Sequence, residues 1–186
     1  LFDGLRFHVL LPDTLGNMVV SITEDSENNF WVASQSKGLI CLDKLTSAIL
    51  NVMPEQLRGQ TINVIAARNG MLWVGTHDGL HVFAIEGKKL EFVETGDFPQ
   101  YVSVNTIIPH QEDPSLTWLG TSFHGIFLLR SEGDNRVTIR QTFRLPEFSG
   151  YIIQALAQEP DGDLWVGTRQ NGVLHLNIGR DGKSIF

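Results

Sequence analysis

LWVGTHDGLHVF, residues 72–83, reads as two short apolar strands joined by a polar turn, and the chain returns to it three more times. LWVGTRQNGVLHL at 164–176 is nearly the same phrase, while FWVASQSKGLICL at 30–42 and TWLGTSFHGIFLL at 117–129 are looser versions. The tryptophans, Trp31, Trp73, Trp118 and Trp165, recur at intervals of 42, 45 and 47 residues. A period in that range belongs to repeat architectures in which one unit is a blade of about four strands.

Each unit divides in the same way. A strand rich in β-branched residues opens it: VVSITED (19–25), TINVIAAR (61–68), VNTIIPH (104–110) and IIQALAQE (152–159). A tight turn follows, and Asn69-Gly70 and Asp161-Gly162 are strong hairpin signals because Asn, Asp and Gly tolerate the positive φ such turns require. Then come the tryptophan strand, a polar turn ending in Gly38, Gly79, Gly125 or Gly172, and a third strand. A more polar fourth strand closes the unit: SAILNVM (47–53), KLEFVE (89–94) or RVTIRQTF (136–143). The count is about 15 strands; PEQLRGQ (54–60) is the best helical candidate and is too short to stand as one.

The second and third strands of each unit are apolar on both sides, as in a sheet covered on both faces. Blades of a β-propeller are sandwiched in this way between their neighbours. A two-sheet sandwich also has many short strands, but it does not repeat one motif at this period. The fold class is therefore all-β, a single propeller segment over 1–186 with repeat units at about 11–53, 61–94, 104–143 and 152–186. Residues 1–10, with the strand LRFHVL (5–10), read as the outer strand of a preceding or a closing blade. Gly75, Gly120 and Gly167, with Ala33 in the first unit, stand where neighbouring sheets should approach closely. The hydroxyls that follow them, Thr76, Thr121, Thr168 and Ser34, suit strand ends with backbone groups to satisfy. Trp73 and Trp165 are both expected to be buried between blades.

Composition narrows the function. Hydrophobic residues make up 42% of the 186 and charged residues 19%, which fits a packed domain and not a disordered chain. The net charge is −7 and the 14 Lys and Arg are scattered, so there is no basic stripe for nucleic acid or an anionic membrane. Cys41, the one cysteine, sits in the apolar run LICL and excludes an internal disulfide. No apolar run is long enough to span a bilayer, and no secretory leader is visible. The histidines form no HExxH pair, no glycine-rich phosphate loop is present and no paired carboxylates stand out, so no catalytic residues, metal or cofactor are assigned.

The pattern of strand, D-x-x-G-x-L-W-V-G-T, turn and Gly-Leu resembles the two-component regulator propeller repeats. ITEDSENNFWVASQSKGLICLD, IAARNGMLWVGTHDGLHVF, IPHQEDPSLTWLGTSFHGIFLL and LAQEPDGDLWVGTRQNGVLHL carry the resemblance, the second and fourth most closely. It implies a piece of a seven-bladed propeller from the periplasmic sensor region of a hybrid two-component histidine kinase. Such regions respond to glycans in gut bacteria, so the implied role is carbohydrate sensing in signal transduction, by binding without turnover. A protein-interaction propeller is the alternative. A propeller lyase is a third, since those enzymes use a histidine and a metal near the axis, and His77 and His124 with an acid would imitate that arrangement.

In an up-and-down blade the turn between strands two and three lies on the same face as the connection to the next blade. Variable loops on a rigid scaffold are where binding is usually placed. The candidate ligand-binding residues are therefore Lys37, His77, Asp78, His124, Arg169, Gln170 and Asn171 from the turns, with Tyr101 and Tyr151 (and Phe148) from the connections. The mixture of Lys37 and Arg169 with Asp78 points to a neutral or weakly charged ligand such as an oligosaccharide. His8, His81, His110 and His175 read as structural or exposed. Four units of a larger ring would leave two open blade edges, and self-association through them is expected.

Overall fold

The computed structural model describes residues 18–43, 48–132, 136–144, 150–178 and 184–185. These form four antiparallel four-stranded meanders. Blade 1 is β1 (Val19–Glu24), β2 (Asn29–Ser34), β3 (Gly38–Asp43) and β4 (Ile49–Asn51). Blade 2 is β5 (Ile62–Arg68), β6 (Met71–Thr76), β7 (Leu80–Glu86) and β8 (Lys89–Val93), and blade 3 is β9 (Val104–Pro109), β10 (Leu116–Thr121), β11 (Ile126–Glu132) and β12 (Arg136–Phe143). Blade 4 is β13 (Ile153–Gln158), β14 (Leu164–Thr168), β15 (Val173–Ile178) and β16 (Ser184–Ile185). The first strands pack in sequence, β1 on β5, β5 on β9 and β9 on β13, so they stand innermost with the blades fanned around them. The expected outer strand at 5–10, with His8, lies outside the described residues. Among the described residues no helix is long and apolar enough to cross a membrane.

Local chemistry explains the meanders. Asn69 and Gly70 both take positive φ, 51° and 70°, which closes the β5–β6 hairpin in the hand that matches strand twist. Thr76, Thr121 and Thr168 each donate their hydroxyl to the carbonyl of the glycine that ends the next turn, at 3.1, 2.6 and 2.8 Å. In 54–60 the observed element is a single 3-10 turn, Glu55–Leu57, whose value lies in Leu57: that side chain is fully buried where blades 1 and 2 meet.

Three apolar clusters hold the blades together. Trp31, Leu39 and Cys41 of blade 1 pack with Ile62, Ile65, Leu72 and Val74 of blade 2. Trp73 and Leu80 pack with Val104, Ile107 and Leu119, and Trp118 and Ile126 with Ile153, Leu156, Leu164 and Val166. One face of each of the first three tryptophan strands thus meets the opposite face of the next blade, and β6 and β10 are buried along their whole length. Hydroxyls and amides stitch the same joints: Ala67 N–H donates to Thr23 Oγ1 at 3.0 Å, and Asn105 Nδ2 donates to the Ile153 carbonyl at 2.9 Å.

The fourth tryptophan departs from the expectation. Trp165 is 43% exposed, against 0 or 1% for the other three, because His175 of its own blade is beside it but no described residue of a following blade covers it. Its strand alternates buried and exposed positions where β6 and β10 are buried throughout. The indole N–H is nevertheless satisfied, donating to Glu159 Oε1 at 2.8 Å just as Trp31 donates to Asp25 Oδ2 at 2.8 Å. Trp118 Nε1 is buried with no hydrogen-bond partner among the described residues.

Cys41 is buried beside Trp31, and burial, with Asp25 nearby, pushes its thiol up to about 11. Since the thiolate is the reactive form, native Cys41 should resist iodoacetamide at pH 8 and react once the chain is unfolded. Labelling at equal rates with and without denaturant would contradict this packing.

Candidate functional site

The turns between second and third strands converge on the inner strands, and there the four blades enclose an open cavity of about 560 Å³. Its wall repeats. Gln35, His77, Ser122 and Arg169, each the residue directly after the strand-ending Ser or Thr, all line it. One backbone bond fixes each of them. The N–H groups of Gln35, His77, Ser122 and Arg169 donate to the carbonyls of Met18, Thr61, Ser103 and Ile152 at 2.9–3.1 Å, which ties each turn to the start of its own blade's first strand.

A second tier comes from the first strands. Asn63 and Asn105 line the cavity with Gln154, which occupies the aligned position in blade 4. Asn63 Nδ2 donates to the Val104 carbonyl at 3.0 Å and to Ser103 Oγ at 3.2 Å, while Asn105 Nδ2 donates to Ser122 Oγ at 3.0 Å. Asn63 and Asn105, which also donates to the Ile153 carbonyl, therefore join blades while lining the cavity.

The mouth carries Tyr101, Phe123 and His124. Tyr101 and Phe123 are exposed, and both hold a left-handed backbone, with φ of 61° and 66°. That conformation is costly for aromatic side chains and persists only where the surroundings impose it. Here Tyr101 N–H is held by the Asp78 carbonyl at 2.9 Å and Phe123 N–H by the Tyr151 carbonyl at 2.8 Å. His124 Nδ1 lies 3.0 Å from the Ser122 carbonyl, so its ring is anchored as well.

The candidates from the turns accordingly separate into two groups. His77, His124, Arg169 and Tyr101 line the cavity. Lys37, Asp78, Gln170 and Asn171 are exposed and stand outside the lining; the first turn position lines it in every blade, and the later positions do so only in blade 3, through Phe123 and His124. Tyr151 is half-buried and packs against the core between blades 3 and 4. Phe148 lies outside the described residues. Asn63, Asn105, Gln154, Ser103 and Phe123 are lining residues missing from that set. Their signal was a polar side chain at one fixed place in the first strands, the amides of TINVIAAR, VNTIIPH and IIQALAQE.

Among the described residues of the lining, Arg169 is the only Lys, Arg, Asp or Glu. Among the described residues no acid joins His77 and His124 in the lining, so these residues do not assemble the histidine, acid and metal arrangement of a propeller lyase. His81 and His110 are half-buried and stand outside the lining. His110 stacks on Trp118 with ring centroids 5.9 Å apart, and burial lowers its pKa, as it does for His81.

A separate trio lies on the exposed face of blade 4, where Glu159, Asp163 and His175 each bring one ligand atom within 4.8 Å of the others. His175 Nε2 is 3.3 Å from Glu159 Oε2 and 3.9 Å from Asp163 Oδ2. The other carboxylate oxygens accept from Trp165 Nε1 and, at 2.7 Å, from the Ile178 N–H. Asp25, Asn29 and Cys41 fill the corresponding places around Trp31, so the trio is a more polar version of a packing device used in blade 1.

Comparison with known proteins agrees with this geometry. The family model described as the two component regulator propeller matches residues 14–36 and 147–170. These two matched stretches read as two-component regulator propeller repeats. Among solved structures it is similar to the extracellular domain designated the hybrid two component system BT3049 from B. thetaiotaomicron, with 21% identity and a TM-score of 0.69 over 95% of this chain and 24% of that one. The corresponding BT4673 domain from the same organism aligns at 18% identity and a TM-score of 0.61, again over 95% of this chain and 24% of that one. The computationally designed Ika4 protein aligns at 11% identity with a TM-score of 0.68, over 94% of this chain and 100% of that one. The chain thus spans about a quarter of the two bacterial domains it resembles. No functionally curated protein matches it.

Proposed function

We propose that this propeller segment is part of the sensor region of a two-component system outside the cytoplasmic membrane, and that its axial cavity binds a glycan without turning it over. The two-component regulator repeats and the likeness to extracellular domains support the setting. The cavity wall supports the ligand class. Amides, hydroxyls and imidazoles recur around it at aligned positions, and exposed Tyr101 and Phe123 at the mouth offer flat apolar surfaces for the faces of sugar rings. The observation that carries the proposal is this fourfold polar wall with a single fixed charge, Arg169. With no acid among the described lining residues to balance it, the ligand we propose is a neutral oligosaccharide or one bearing a carboxylate or sulfate.

Arg169 is the residue to test, since a guanidinium can grip a carboxylate with two parallel hydrogen bonds or lie flat on a ring. Calorimetry of Arg169→Ala against neutral and uronate-containing oligosaccharides should show about ten- to hundred-fold weaker binding of the acidic ligand, the equivalent of one charge-assisted hydrogen bond. The melting curve should stay in place, because Arg169 is exposed and its tie to Ile152 is through the backbone. Unaltered affinity for a confirmed ligand would remove Arg169 from the site. A wild-type protein that ignores every glycan but retains a partner chain would favour the interaction scaffold.

A further inference from the structure

We propose that Glu159, Asp163 and His175 form a binding site for a zinc-like divalent cation, built wholly from blade 4. The three bring one ligand atom each within 4.8 Å of the others. Two come from the turn that joins β13 to β14 and one from β15, so nothing outside the blade is needed to assemble them. The fold does not by itself call for this convergence. By strand register the same three places hold Arg68, Met71 and Val82 in blade 2, and His110, Leu116 and Leu128 in blade 3. Two of the three are apolar in each of those blades.

Both carboxylates are held in a fixed orientation. Glu159 Oε1 accepts the Trp165 indole N–H at 2.8 Å, and Asp163 Oδ1 accepts the Ile178 N–H at 2.7 Å. Each bond fixes one oxygen and turns the other, Glu159 Oε2 or Asp163 Oδ2, toward His175 Nε2, at 3.3 and 3.9 Å. Outer hydrogen bonds of this kind orient carboxylate ligands in metal sites. A hydrogen bond alone does not account for the arrangement, because Nε2 carries one proton at most and two carboxylates face it. A cation at the centre would serve all three groups, and its double charge would match two carboxylates beside a neutral imidazole.

The donor set selects the ion. One imidazole nitrogen and two carboxylate oxygens suit zinc, which takes such ligands tetrahedrally and leaves a fourth position for water. Bonds of about 2.0–2.2 Å place tetrahedral ligand atoms roughly 3.3–3.6 Å apart, so separations of 3.3 and 3.9 Å need only a small contraction. Calcium takes about six to eight oxygens, and this set serves it poorly. The bound ion would clamp the β13–β14 turn to β15.

Zinc titrated into the untagged chain against a chromogenic chelator should bind at one equivalent, and the melting temperature should rise with free zinc. Binding should weaken on acidification, since imidazole must be unprotonated to ligate. His175→Gln and Asp163→Asn should each weaken zinc about tenfold or more, because losing even an outer-shell partner costs that much. Asparagine is the residue blade 1 carries at the place of Asp163, so the second variant should keep its fold, which circular dichroism will check. Glu159→Gln, which preserves an acceptor for Trp165, should behave likewise. A wild-type chain that takes up no stoichiometric zinc would overturn the proposal and leave the trio an ion pair. Equal zinc binding by the wild type and the folded variants would overturn it in favour of ligands elsewhere in the chain.

Discussion

Trp73→Ala should cost about 3–5 kcal/mol of folding free energy, the range for deleting a fully buried large aromatic. In a chain of this size that is a fall in melting temperature of roughly 6–20 °C. Trp73 is 1% exposed and packs in the cluster that unites blades 2 and 3, so its removal leaves a cavity that two sheets would have to collapse to fill. The same truncation at Trp165, half-open to water, leaves no enclosed cavity and should cost no more than about half as much. The comparison is best made at concentrations too low for chains to associate. Equal losses at the two sites would mean that the face of blade 4 is covered after all, and a melting curve unmoved by Trp73→Ala would remove the tryptophan from the joint.

This contrast shows what the sequence could and could not disclose. The repeated LWVGT was enough to identify the propeller, because a strand apolar on both sides has to be covered on both sides, and Trp31, Trp73 and Trp118 are. It gave no hint that Trp165 differs, since burial between blades depends on the blade that follows and not on the residues of the strand itself. The neighbours of Trp165 do carry a trace of the difference. His175 stands where Cys41, Val82 and Leu128 stand opposite the other tryptophans.

The candidate site was legible in part for a similar reason. Polar turns mark the face of the propeller, and His77, His124 and Arg169 were found that way. Which turn residue looks inward is settled by register with the first strand, and that selects Gln35, His77, Ser122 and Arg169 over Lys37, Asp78, Gln170 and Asn171. The amide tier was overlooked because Asn63 and Asn105 sit inside apolar strands, where a polar residue reads as an interruption. In the structure each is bonded to the next blade, so the residues that shape the cavity also hold its walls together.

Gly120→Ala should destabilise the chain by about 1–3 kcal/mol, the usual cost of forcing atoms into a filled joint. A Cβ at Gly120 would fall 2.5 Å from Ile153 Cγ2 and 2.6 Å from Thr106 Cγ2, so blades 3 and 4 would have to move apart. That movement also stretches the bond from Asn105 to the Ile153 carbonyl, which adjoins the Ile152 carbonyl that positions Arg169. Ligand affinity should therefore fall together with stability in this variant, whereas Arg169→Ala lowers affinity alone. Gly167 is the internal control. A Cβ there would meet only Ala155 of its own blade, at 3.3 Å, and no atom of another blade. Urea denaturation of the dilute chain should find Gly167→Ala clearly milder than Gly120→Ala. Equal costs for the two substitutions in dilute solution would mean that close approach between blades is not what requires glycine at these positions.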